Sequence, residues 1–74
     1  MNWGLNMFTL FVIMILQDGT RVDHRYPDQL KYLECMQYAR QEAEAMRHED
    51  TSKFKSMDFY CGTEETLKKD YPIK

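Results

Sequence analysis

Few side chains in this 74-residue chain are of the types that do chemistry, and their spacing limits what they can do. His24 and His48 are its only histidines. They share no neighbouring ligand pattern, so rim or solvated imidazoles are expected rather than a metal site or a general base. Cys35 and Cys61 are too few and too widely spaced for a zinc site, and no cation stands near either to create a reactive thiolate. They form either one disulfide or two small buried thiols. Glu42, Glu44, Glu49 and Asp50 make an acidic stretch, but paired-carboxylate chemistry needs a cleft that nothing here supplies. GxGxxG, P-loop, HExxH and GxSxG spacings do not occur. The expectation is a protein that is not an enzyme, with no catalytic residue, no cofactor and no metal. One short cluster has binding chemistry. Arg21, His24, Arg25 and Tyr26 from adjacent subunits would suit an anionic small molecule.

Charge narrows the partners. Ten Lys and Arg stand against twelve Asp and Glu, interspersed, for a net charge of −2. There is no basic footprint, so no nucleic acid is expected. A chain this short buries only about 60–65% of its unfolded surface, and such chains often need a staple, a metal or a second subunit.

The groups above must be positioned by the elements around them, and the dominant one is Phe8 to Leu16, FTLFVIMIL. It carries no charge and is rich in β-branched and aromatic residues, which favours a strand buried on both faces. A membrane helix needs about 20 apolar residues, and the apolar run here is shorter and broken by Gly4 and Asn6. A cleavable signal wants a basic start and small residues at the cut, and neither is present. A membrane role is therefore the rival reading and a cytoplasmic location the expected one.

Asp18-Gly19 predicts a two-residue hairpin turn into a second strand. That loop sets Ile15 opposite Val22 and Phe11 opposite Tyr26. One sheet face then carries Phe11, Ile13, Ile15, Val22, His24 and Tyr26, and the other Phe8, Leu10, Val12, Met14 and Leu16 beside Arg21, Asp23 and Arg25. Pro27 stops the second strand and Asp28 caps a helix from Gln29 to about Glu49. Its apolar stripe is Tyr32, Cys35, Met36, Ala39, Ala43 and Met46. At roughly 31 Å it matches a nine-residue strand of about 30 Å. Lys53 to Cys61 forms a third strand ended by Gly62, and Thr63 caps a short turn from Glu64 to Lys69.

The result is an α+β fold: a small ββαβ domain over residues 1–62, a three-stranded sheet in order 2-1-3 with one long helix on one face, then a short helical turn and tail over 63–74. Cys35 and Cys61 fall at the same end of that arrangement and both point inward, so contact is expected, as a disulfide or as packed thiols. One helix covers one face. Phe8, Leu10, Val12, Met14 and Leu16, extended by Trp3, are then left for a homo-oligomer or another protein. The alternative is that the C-terminal segment with Leu67 and Tyr71 folds back over them.

An initiator Met near an apolar strand, the Asp18-Gly19 turn, a polar strand ending in Tyr26, the early helical Cys35-Met36 pair and the later Cys61 resemble short phage and prophage proteins of uncharacterised function. The resemblance implies a small accessory factor made in an infected cell. Such factors act by binding: they block a host or anti-phage defence protein, or sequester a signalling molecule.

Overall fold

The computed structural model describes residues 7–48 and 52–72. In chain order it contains β1 (Phe8–Leu16), β2 (Arg21–Leu30), α1 (Tyr32–Met46), β3 (Phe54–Gly62) and α2 (Glu64–Asp70). The sheet has the order β2-β1-β3, with β1 central and antiparallel to both neighbours. An uncharged strand belongs there, because a central strand has both edges paired and both faces available for cover. Trp3, Glu49 and Asp50 lie outside the described residues.

The hairpin is one residue longer than Asp18-Gly19 suggests. Leu16 N–H donates to Thr20 carbonyl at 2.8 Å and Gly19 N–H to Leu16 carbonyl at 3.0 Å. The loop is therefore Gln17-Asp18-Gly19, a type I turn closed by a glycine at φ +91°. Asp18 Oδ1 accepts from Thr20 N–H at 2.9 Å, which lowers the carboxyl's pKa and fixes the turn. The extra residue moves the register by one: Ile15 faces Arg21, Met14 faces Val22, Val12 faces His24 and Phe11 faces Arg25. A one-residue slip exchanges every side chain between faces. Arg21, Asp23 and Arg25 thus share a face with Phe11 and Ile13, while Val22, His24 and Tyr26 share the other with Leu10 and Val12.

Pro27 does not end β2. Between the pairs Thr9–Gln29 and Phe11–Arg25 the ladder is interrupted, so Tyr26, Pro27 and Asp28 bulge opposite Leu10 alone. An edge strand tolerates a proline at such a bulge because its missing N–H owes nothing to the ladder. The helix consequently starts later, at Tyr32, with Lys31 rather than Asp28 at its cap. There Lys31 N–H donates to Glu34 Oε1 at 3.1 Å.

Helix α1 lies on the Leu10 face. Cys35 and Ala39 are buried against Leu10, with Phe8, Tyr26, Leu30, Tyr38, Phe59 and Cys61 packed around them. Cys35 and Cys61 are joined in a disulfide, with their Cα atoms 6.1 Å apart, tying the first turn of the helix to β3. Closing a loop with a sequence separation of 26 stabilises by about 3–4 kcal/mol in the chain-entropy picture.

The opposite face is covered as well. Thr63 Oγ1 accepts from Thr66 N–H at 3.2 Å and Thr66 Oγ1 accepts from Thr63 N–H at 2.9 Å, a reciprocal cap that starts α2. Glu64 and Glu65 in its first turn and Lys68 and Lys69 in its last suit the helix dipole. Leu67 is then buried with Phe11 and Ile13, and Tyr60 and Tyr71 pack beside them. β1 is sandwiched, as its composition predicts, but by two helices rather than by one helix and a partner.

Candidate functional site

The expected binding strip on β1 does not survive this packing. Leu10 is 0% and Val12 2% exposed under α1, and Phe8, Met14 and Leu16 are half-buried. The reason is the register: the face that receives Val22 and Tyr26 from β2 and Met57, Phe59 and Cys61 from β3 is the apolar one, and the long helix takes it. The C-terminal segment does fold back through Leu67 and Tyr71, onto the Phe11–Ile13 face.

The quartet Arg21, His24, Arg25 and Tyr26 is split by the same register. His24 and Tyr26 sit on the α1 side, stacked edge to face with ring centroids 4.9 Å apart. Tyr26 continues into Tyr38 at 5.3 Å. Burial pushes the Tyr26 phenol up to about 12, aided by the negative Glu42 and a hydrogen bond to it. Burial likewise raises Tyr38, with Glu42 and Asp28 adding to it. These phenols stay neutral and knit β2 to α1, which makes them structural groups.

Arg21 and Arg25 remain together on the α2 side, where they line a pocket of about 240 Å³ with Phe11, Asp23, Glu64, Leu67, Lys68 and Tyr71. The buried Phe11 and Leu67 supply its floor. Arg21 is fully engaged. Its Nε and Nη2 donate to the two Asp23 oxygens at 2.8 and 2.9 Å, and Nη1 donates to the carbonyls of Tyr71 and Pro72 at 2.8 and 3.3 Å. It clamps the chain just after α2 to the sheet. Arg25 Nη1 meets Glu64 Oε1 at 2.9 Å, with both side chains more than half exposed. A pair this open to water is worth about 0–1 kcal/mol.

A second surface lies on the outside of α1. The inward stripe runs through the buried Cys35 and Ala39 and the half-buried Tyr38, Glu42, Ala43 and Met46, rotated from the one expected. Tyr32 and Met36 consequently turn outward. Leu33 is 74% exposed, Met36 47% and Tyr32 50%. Leu33, Met36, Gln37, Ala39 and Arg40 line a shallow depression there, and the exposed Lys31 lies just before it in the chain. Tyr32 is held by an edge-to-face contact with Phe8 at 5.4 Å.

Leu33 is the residue here that the sequence reading does not single out. Leu33 sits inside a helix whose apolar positions were assigned to the core, and its place between Tyr32 and Met36 was the available signal. Leu67 and Tyr71, expected as an alternative to fold back over Leu10 and Val12, wall the pocket on the Phe11–Ile13 face instead. Among the described residues no helix is long and apolar enough to cross a membrane. No family model, curated protein or solved structure matches this chain.

Proposed function

We propose that the protein is a non-enzymatic accessory factor that acts by binding another protein through the outer face of α1. The observation that carries this reading is the exposed apolar group Tyr32, Leu33 and Met36, on a helix fixed to the sheet by the Cys35–Cys61 bond. Apolar anchors presented at three- and four-residue spacing on a preorganised helix suit a hydrophobic groove, and little ordering entropy is lost when the helix docks. Lys31 and Arg40 flank the apolar group, so the complementary partner has an apolar centre with an acidic rim. The resemblance to phage accessory proteins supports an inhibitor of a host or defence protein. The disulfide favours an oxidising compartment over the cytoplasm expected from the residues alone.

The test compares the oxidised chain with the double variant Leu33→Glu plus Met36→Glu. Both positions are exposed, so the melting temperature is expected to hold. A photo-crosslinker placed at Tyr32 should capture one host protein, and the double variant should lose it in pull-down. Equal capture by the double variant would remove α1 as the docking face. A mass that doubles with concentration, and reverts in the double variant, would assign the face to a second copy instead.

A further inference from the structure

We infer that the pocket between α2 and the β1–β2 hairpin is a binding site for a small monocarboxylic acid with an apolar body about one ring in size. The site is separate from the α1 surface, and neither proposal depends on the other. Its floor, Phe11 and Leu67, is buried, and Tyr71 stands at its side. Apolar walls with a few convergent charges are the usual build of a small-ligand site. At about 240 Å³ it falls below the range of roughly 300–1,000 Å³ typical of drug-sized ligands. It is far larger than the ~30 Å³ of a water, so a bare ion would leave the apolar floor wet.

The polar rim chooses the sign of the ligand. Three cations, Arg21, Arg25 and Lys68, stand against two carboxylates, Asp23 and Glu64, in a chain whose net charge is −2. Arg21 and Asp23 satisfy one another and the chain carbonyls beyond α2, so they are scaffold. Among the described residues Arg25 is held only by the exposed contact with Glu64. Lys68 makes no ion pair among the described residues. A ligand carboxylate would therefore take the place of the Glu64 carboxylate on Arg25 and gain Lys68 as a second partner. The exchange is favourable because the contact given up is a single exposed pair, whereas the ligand carboxylate gains two cations and its apolar body leaves water for the floor of Phe11 and Leu67.

Glu64 thus competes with the ligand, which gives the proposal an unusual sign. Binding of 3-phenylpropionate to the full oxidised chain is followed by calorimetry and by the ring resonances of Phe11 and Tyr71. The acid should bind with its neutral amide at least about tenfold weaker, and Arg25→Ala and Lys68→Ala should each weaken it by about tenfold. Glu64→Gln should tighten it several-fold, a gain that loss of fold cannot mimic. Inorganic phosphate should bind more weakly than the acid. The proposal is overturned if the acid and its amide bind alike, if phosphate binds as well as the acid, if Glu64→Gln weakens or leaves binding unchanged, or if no binding occurs.

Discussion

Tyr26 shows what one partly buried phenol contributes. Its phenol is held neutral to about 12 against an ordinary value near 10, first by burial and then by Glu42. A raised pKa means the folded state keeps a proton that the unfolded chain gives up sooner. Its contribution to stability is therefore complete below pH ~10 and lost as pH rises toward about 12. Denaturant unfolding measured at intervals across that window should show midpoints falling with pH. Following phenolate absorbance, Glu42→Gln should bring the Tyr26 transition down while leaving it above 10, because burial is the larger cause. A transition that drops to the ordinary value would mean that Glu42, and not burial, holds the proton on the phenol. At Gly62 the constraint is steric. An added Cβ would lie 2.5 Å from Thr66 Oγ1 and 2.6 Å from the Tyr60 ring, so Gly62→Ala must displace the α2 cap or the ring. A loss of about 1–3 kcal/mol is expected, read as a lower denaturant midpoint with an unchanged slope.

At the scale of elements, the disulfide and α2 hold opposite faces of β1 by different means. Replacing Cys35 and Cys61 together by Ala should cost about 3 kcal/mol. In a domain this small that is a fall in melting temperature of more than about 10 °C. A fall of only a degree or two would mean that packing of Ala39 and Tyr38, not the covalent tie, fixes α1. The same elements show why the sequence was legible in part. Strand order and the meeting of Cys35 with Cys61 followed from hydrophobic grouping and chain direction, which survive an error of one residue. The assignment of faces did not, because it depended on whether the turn holds Asp18-Gly19 or Gln17-Asp18-Gly19, and period-two alternation converts that difference into a complete exchange. Pro27 misled for a related reason: its missing N–H forbids a central ladder but not a bulge on an edge. The fold-back of Leu67 and Tyr71 was open to the sequence as an alternative, but the pocket was not, because its place depends on which face of β1 carries Arg21 and Arg25.

For the whole molecule, these attachments imply an order of opening. β1 is paired along both edges and covered on both faces by its first half, Thr9 to Ile13, so its amides should exchange only through global unfolding. α1 is marginal on its own length of 15 residues, but the tie at Cys35 limits how far it can leave. α2 has seven residues and one buried side chain, and it and the two residues after it are held by Arg21 to the Tyr71 and Pro72 carbonyls, Arg25 to Glu64, and Tyr60 OH to Asp70 Oδ2 at 2.6 Å. It should therefore open locally, well below the global free energy. Native-state hydrogen exchange should rank protection as β1 above α1 above α2. Leu67→Ala, expected to cost about 2–3 kcal/mol at such a partly open site, should accelerate exchange in α2 and remove the pocket while the β1 amides shift only by the global loss. If α2 and β1 instead exchange together in the unmodified chain, the C-terminal helix is part of the cooperative core and the pocket it walls is rigid. A ligand would then have to enter through the rim between Arg25 and Lys68, and the tighter binding of Glu64→Gln would be read mainly as a faster on-rate.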